Sequence, residues 1–385
     1  RQANLSLAIA LSGRQRAMQM IRSDSSGSVL HSRQLGQRMG PLQQDAAVSA
    51  NTMMLPYHAV RMIRLPRTYD VDRLRCDLDA LRGFDLVRQP GPYHRGDWKG
   101  ISLYAQGGRQ GAHPGYAGLD SYLPTDALLH APYFAEMLDE LRCPKRVVRL
   151  LSLPPGGRIE EHTDAWANFY CGTLRLHVPI VTHPDVEFVI DGERAQWQAG
   201  ELWYGDFSLP HHVINNSPIH RVHLVVDVEI NDFLLGLFPQ AFIDAVQTQG
   251  EGIARYKPPI EQNADALSQF ACTFWLPAEV MPLFGAGRKL SLLNANALCR
   301  VFVAGRRFIA TVDGEPSFAL ERVSDASFNI VGLASGCSLE LTCHQGSVVG
   351  AALVLRGLPE DLYAAQLGFH QGPMLSLRRV PLTLS

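Results

Sequence analysis

No stretch of this sequence approaches the roughly 18 consecutive apolar residues that a membrane-spanning helix requires, and no membrane partner is expected. The early apolar run "LSLAIAL" is short, and its thin charged flank makes it a poor secretory leader. No block of basic residues occurs. The 35 Lys+Arg against 37 Asp+Glu leave a net charge of −2, without the electrostatic footprint of a nucleic-acid binder. No C-x-x-C occurs either. The seven cysteines (Cys76, Cys143, Cys171, Cys272, Cys299, Cys337 and Cys343) are scattered and odd in number. That argues against a disulfide framework or a zinc site, and for free thiols in a reducing, cytoplasmic compartment. No internal repeat is visible. The chain has ordinary globular composition, 46% hydrophobic and 19% charged over 385 residues, with room for two domains.

Residues 1–50 mix Ser, Gln, Gly and Arg and read as a flexible extension, with one helix over 8–22. Order is expected from "MMLPYHAVRMIRLP" onward. Leu74, Leu78 and Leu81 lie at helical spacing and predict a helix in "DVDRLRCDLDALRG"; Phe134, Leu138 and Leu141 predict another in "APYFAEMLDEL". From about residue 146 the period falls to two, in "KRVVRLLSL", "TLRLHVPIVT", "VEFVIDG", "AQWQAGELWYGD" and "RVHLVVDVEI". Short strands at close spacing, separated by Gly, Pro and Asp, predict a β-sandwich or barrel. "NDFLLGLFPQAFIDAVQTQG" is helical in pattern, and "YKPPIEQNAD" reads as a linker. A second strand-rich block runs from about 288 to 357, from "ALCRVFVAG" to "VVGAALVLRG". The expected organisation is mainly β with flanking helices: an extension over 1–50, one β-rich domain over 51–260, and a smaller C-terminal β-rich domain over 261–385 with no assigned role. A chain ended near Asn263 is expected to keep whatever site the first domain carries.

The segment "EEHTDAWANFYCGTLRLHVPI" sets His162 two residues before Asp164, and Arg175 two before His177. His-x-Asp alone carries little weight, because chance supplies about one in such a chain. Indeed "HPD" at His183 and Asp185 is a second instance, with Pro184 between two strand-like runs, and reads as a hairpin turn. The first pair has more company downstream. "GDFSLPHHVINNSPIHRVHLVVD" supplies His211 and His212 before a turn, then Arg221 at the start of a strand. Two histidines and one carboxylate on one face of an iron leave three positions open, as in non-haem Fe(II) oxygenases. Residues i and i+2 of a strand share a face, so His162 and Asp164 can both point inward. 2-Oxoglutarate needs a cation for its far carboxylate, and an arginine offers a bidentate fork. Arg175 with His177, and Arg221 with His223 and Val225, form inward polar stripes that cost stability unless they bind something. Spacing alone does not choose between His211 and His212.

At these residues the chain resembles the aspartyl/asparaginyl β-hydroxylase family, which includes bacterial proline hydroxylases. "VVRLLSLPPGGRIEEHTD", "LRLHVPIVT" and "GELWYGDFSLPHHVINNSPIHRVHLVVD" carry the likeness, and "YHRGDWKGISLYA" and "LPTDALLHAPYFAEMLDEL" look like the family's N-terminal part. The likeness spans about residues 55–235 and fails over 1–50 and after about 260. It implies a double-stranded β-helix, a jelly-roll or cupin-like core, and makes 51–260 an Fe(II)/2-oxoglutarate dioxygenase domain. Carried over, the iron ligands are His162, Asp164 and His211, the ten-residue spacing to Arg221 selecting His211. Arg221 takes the distal carboxylate of 2-oxoglutarate, and Arg175 and His177 contact that cosubstrate near the iron. Because Asp164 is kept, no iron position is left for a halide, so hydroxylation is expected.

The expected function is therefore hydroxylation of an amino acid, free, peptidyl or carrier-bound, by Fe(II), 2-oxoglutarate and O2, with succinate and CO2 as co-products. "YHRGDWKG" supplies the substrate-side candidates: Tyr93, His94, Arg95, Asp97 and Trp98, with His94 or Arg95 for a carboxylate or amide and Asp97 for an ammonium. Trp98 reads equally as core. Two alternatives differ in class: a cupin-type metal enzyme without 2-oxoglutarate, and a non-enzymatic metal or 2-oxoglutarate sensor. The partners expected are a small-molecule, aminoacyl or peptidyl substrate, and a carrier protein or second copy meeting the C-terminal domain.

Overall fold

The computed structural model describes residues 60–385 apart from 90, 96, 112–115, 250–251, 261–262, 285–294, 367 and 369–376. The expected extension over 1–50 and its helix lie outside the described residues.

The first β-rich block forms two antiparallel sheets. The larger has eight strands, in the spatial order Met62–Thr68, Glu201–Gly205, Thr173–Val181, Arg221–Glu229, Lys145–Leu153, Lys99–Gln106 and Val87–Arg88, with Tyr122–Pro124 also paired to Lys99–Gln106. The smaller has five, in the order Glu193–Arg194, Val186–Ile190, His211–Asn215, Arg158–His162 and His94–Arg95. Sequence neighbours are seldom neighbours in a sheet, which is the crossing pattern of a jelly roll. This is the double-stranded β-helix expected from the resemblance.

Alternation decides which side chains reach the space between the sheets. On the strand Thr173–Val181, Leu174, Leu176, Val178 and Ile180 face outward; on Arg221–Glu229, Val222, Leu224, Val226 and Val228 do the same. These eight join the main core with the helices Val71–Ala80, Pro132–Glu140 and Gln240–Gln247, through Leu74, Phe134, Met137, Leu138 and Phe242. Each large side chain buried there contributes about 1.5–3 kcal/mol. The intervening residues of the same strands, Arg175, His177, Arg221, His223 and Asp227, therefore point the other way, and all but half-buried Arg175 are buried. Asp70 caps the first helix by accepting from the backbone N–H groups of Asp72 and Arg73. The helical stretch after residue 230 is two helices, Asp232–Leu235 and Gln240–Gln247, because Pro239 cannot continue the first and starts the second.

The second block closes into a barrel of eight strands, Cys272–Leu276, Ala297–Ala304, Arg307–Val312, Glu315–Arg322, Ser327–Ile330, Cys337–His344, Ser347–Leu355 and Arg378–Leu384. Phe274, Phe308, Phe318 and Phe328 fill its core. The barrel is bonded to the jelly roll through buried charge. Arg146 donates to Glu229 (2.8 Å), and to the backbone oxygens of Gly332 and Leu333 (2.6 Å each), while Glu229 accepts from Ser335. Asn168 donates to the Gly357 oxygen at 2.9 Å, and Gly336 N–H to the Cys171 oxygen at 2.8 Å. Gly357 has φ +62°, and a Cβ there would lie 2.4 Å from the Cys171 nitrogen, so only glycine permits this approach. All seven cysteines are free. Among the described residues no helix is long and apolar enough to cross a membrane.

Candidate functional site

His162 ends its strand in the smaller sheet, and His211 begins the neighbouring one directly opposite. Their rings lie 4.2 Å apart between centroids. Asp164 falls just past the strand rather than on it, held by its N–H to the Phe207 oxygen at 2.8 Å. One ligand atom from each of His162, Asp164 and His211 lies within 4.8 Å of the other two. His212 points away, as the next residue of a strand must: it is half-buried and meets Glu187 at 3.1 Å. His183 and Asp185 remain in a turn, outside the cluster.

Both imidazoles are anchored alike. Nδ1 of His162 is 2.9 Å from the Glu160 oxygen, and Nδ1 of His211 is 3.0 Å from the Leu209 oxygen. A carbonyl can only accept, so each Nδ1 carries the proton and each Nε2 keeps a free lone pair. Burial pushes the pKa of His162 down and that of His211 down to about 3, so both are neutral at pH 7, the form that ligates. Burial pushes the Asp164 carboxyl up, but Arg175, His162, His211 and Arg149 together hold it at about 2, fully ionised. Two neutral imidazoles and one carboxylate make three ligands, a set that fits a divalent first-row metal with open positions.

On the inner face of the larger sheet, Arg175 is gripped by two carboxylates. Nε and Nη2 meet the two Asp227 oxygens at 2.7 and 2.9 Å, and Nη1 meets Asp164. Asp227 stands directly opposite Arg175 across the strand pair. Arg175 therefore aims the carboxylate ligand. His177 stacks on Phe207 (4.8 Å) and meets Nδ1 of His223 at 3.3 Å, while its Nε2 is buried without a partner. Burial first, then Arg221, pushes both His177 and His223 well below the ordinary histidine range. Arg221 is 3% exposed; it reaches Nδ1 of His223 at 2.8 Å and lies over the Phe188 ring, and its buried Nε has no acceptor. Among the described residues no carboxylate pairs with it. Burial lowers its pKa to about 9, and it is still a cation at pH 7. From Arg221 the contacts run through His223, His177 and Phe207 to His211.

The substrate-side candidates are spread out. Tyr93 lies face to face on His162, with ring centroids 3.9 Å apart. His94 bonds the Gln89 oxygen, and Trp98 packs into the small core between the sheets. Arg95 and Asp97 are exposed and paired with Glu160 (3.0 Å) and Lys99 (2.6 Å); the structure does not bring these two to the cluster. Three residues not singled out in the sequence do line the region. Asp227 repeats the two-residue period of Arg221 and His223, a signal available in "RVHLVVDVEI". Arg149 interrupts the apolar run "KRVVRLLSL". Gly368 comes from the C-terminal block: its oxygen accepts from Thr163 N–H at 3.0 Å, and a Cβ there would lie 3.2 Å from the His162 Cβ and 3.3 Å from the Tyr93 ring.

Residues 70–230 match the family model described as Aspartyl/Asparaginyl beta-hydroxylase, a span that contains the whole cluster and Arg221. Similar solved structures include an oxidoreductase of the 2OG-Fe(II) oxygenase family from Burkholderia pseudomallei (15% identity, 46% of this chain and 91% of that one, TM-score 0.34). A prolyl-4-hydroxylase from Pseudomonas putida is 14% identical over 45% of this chain and 95% of that one, with a TM-score of 0.31. HygX from Streptomyces hygroscopicus, with nickel and 2-oxoglutarate bound, is 11% identical over 48% and 89%, with a TM-score of 0.31.

Proposed function

We propose that the chain is an Fe(II)- and 2-oxoglutarate-dependent dioxygenase that hydroxylates an amino acid, releasing succinate and CO2. The observation that carries this reading is Arg221, a buried cation without a counter-ion among the described residues, linked by contact to a cluster of two histidines and an aspartate. A protein keeps a buried charge unpaired at a cost of several kcal/mol, so such a residue points to an anion that arrives from outside. 2-Oxoglutarate supplies one carboxylate for the guanidinium and a keto acid for the metal.

His162, Asp164 and His211 hold the metal, and Arg175, fixed by Asp227, sets the angle of Asp164. Bound iron, with 2-oxoglutarate and O2, supplies the oxidation of a substrate C–H to C–OH. The chain's own work is positional. Arg221 and His177 orient the cosubstrate; Phe188, Phe207 and Trp197 keep that end dry, and Tyr93 and Gly368 brace His162 from the other side. With Asp164 as a third ligand, a bound iron would have no position for a halide, which favours hydroxylation. Cytoplasmic location and association of the C-terminal barrel with a second copy of the chain belong to the same proposal.

The test is an anaerobic titration of Fe(II) and 2-oxoglutarate, read by the weak visible charge-transfer band of the chelate, followed under air by mass spectrometry for a gain of one oxygen across amino acids, peptides and carrier-bound aminoacyl groups. Succinate formed in step with a hydroxylated product is the expected result. A metal-loaded protein that never consumes 2-oxoglutarate would favour a cupin-type enzyme or a sensor.

A further inference from the structure

Arg149 is a second buried arginine with no counter-ion among the described residues. It lies in the middle of the strand Lys145–Leu153, on the inner face, and is 6% exposed. Nη1 donates to Gln89 Oε1 at 2.7 Å; Nε is buried and meets no acceptor. Among the described residues no carboxylate forms an ion pair with it. Val225 faces it on the next strand, one period from Asp227, which grips Arg175 and through it Asp164, so Arg149 lies toward the metal end of the inner face. Both aspartates are already held by Arg175. Opposite Arg149, Ser102 of the strand Lys99–Gln106 is already engaged, donating from its N–H to Gln110 and from its hydroxyl to the Gly111 oxygen.

Arg149 and Arg221 are two separate sites for negative charge. Val225 stands opposite Arg149 and Arg221 opposite Leu153, so their levels on the sheet differ by four residues, about 13 Å at the usual rise per strand residue. Arg221 touches His223 and Phe188, whereas Arg149 touches Gln89 and lies one strand period from Asp227. One dianionic cosubstrate bound at the metal through its keto acid does not serve both. The sum of charges agrees. Arg149, Arg175 and Arg221 against Asp164 and Asp227 leave one positive charge (3 − 2). A divalent metal raises this to three, and 2-oxoglutarate returns it to one. A single further negative charge balances the cavity.

We infer that Arg149 receives a free carboxylate of the substrate, so that the substrate is a small amino or carboxylic acid with that group unblocked. This rests on the reading proposed above. A planar guanidinium matches a planar carboxylate with two hydrogen bonds. An amide or thioester at the same place would leave the cation uncompensated, which selects against peptidyl and carrier-bound forms. A phosphate dianion would overshoot the balance.

The test uses the full chain, loaded anaerobically with Fe(II) and 2-oxoglutarate, and reads the perturbation of the visible chelate band by the proteinogenic L-amino acids and by their C-terminal amides. At least one acid should perturb the band, with its amide weaker by roughly 10- to 100-fold, the ratio that one charge-assisted pair supplies. Arg149→Gln, whose amide can still donate to Gln89, should weaken the acid to the level of the amide; Arg149→Lys should restore part of the difference. The affinity for 2-oxoglutarate should not change. The metal-free Arg149→Gln protein should melt at the same temperature or higher, since a buried unpaired charge is gone, whereas a merely structural arginine would leave it less stable. The inference is overturned if amides act as well as acids on the native protein, if no acid acts, or if Arg149→Gln weakens 2-oxoglutarate instead. If the native protein forms no chelate band, the oxygenase reading itself is what fails.

Discussion

Asp227 holds Arg175 by a two-point grip, at 2.7 and 2.9 Å, from the strand directly across, and Arg175 in turn touches the Asp164 carboxylate. The ligand carboxylate is thus steered by a group that is steered by another carboxylate. Removing the charge of Asp227 leaves Arg175 to bear on Asp164 alone, in competition with a metal. Asp227→Asn should therefore lower metal affinity by roughly 10- to 100-fold, the range found when partners behind a metal ligand are lost. Titration of the metal-free protein with Fe(II) or Zn(II), with circular dichroism as the check on folding, reads the effect; an unchanged affinity would detach Asp227 from the site.

His211 and His212 should separate cleanly. His211→Ala removes a lone pair aimed at the cluster and should abolish stoichiometric metal binding. His212→Ala breaks only a half-exposed contact with Glu187, worth about 0–1 kcal/mol, and should keep both metal and turnover. A dead His212→Ala with an active His211→Ala would put the register of that strand in error.

Arg221→Ala should weaken 2-oxoglutarate by roughly 10- to 100-fold, as one charge-assisted carboxylate contact is worth about 1.5–3 kcal/mol. Arg221→Lys should recover only part of this, because an ammonium lacks the fork. The measurement is the 2-oxoglutarate concentration at half saturation of the chelate band. No change in the alanine variant would move Arg221 out of the cosubstrate site.

Legibility in the sequence follows range and periodicity. His162, Asp164, Arg221 and the pair His211/His212 stand out as polar residues in a strand-rich block that a small barrel can bring together, whereas the choice of His211 over His212 comes from the family resemblance. Arg149 escapes notice because it is one of three cations in "KRVVRLLSL" and looks like an ordinary strand residue until the other face of that strand is known. Asp164, expected on a strand, lies beyond its end, since the ladder between the two histidine strands stops at His162 and His211. The strands Cys272–Leu276 and Arg378–Leu384, which close the barrel, have no local signal stronger than their neighbours; closure is a property of the whole sheet. Gly368 cannot be read at all, because its contact with His162 joins parts of the chain more than half its length apart.

The fate of a chain ended near Asn263 changes in the light of these contacts. Its metal ligands would all be present, but Arg146 would lose Gly332 and Leu333, Glu229 would lose Ser335, Asn168 would lose Gly357 and Thr163 would lose Gly368. Such a truncation should be insoluble or bind metal poorly. In the full chain, Glu229→Ala should cost about 3–5 kcal/mol, the penalty for stranding the buried Arg146 charge. Urea unfolding measures the second effect, and a stable truncation with native metal affinity would refute the first.

The reach of Gly368 back to His162 also sets an order of events during synthesis. Domains generally fold in the order in which they leave the ribosome. All three proposed ligands and both unpaired arginines emerge before residue 230, yet Gly368, which braces His162 beside Tyr93, emerges more than a hundred residues later. For the whole intervening interval the nascent jelly roll carries a half-braced metal site. A jelly roll that holds its ligands but lacks this contact should bind metal more weakly than the folded chain does, until residue 368 has been made and has docked.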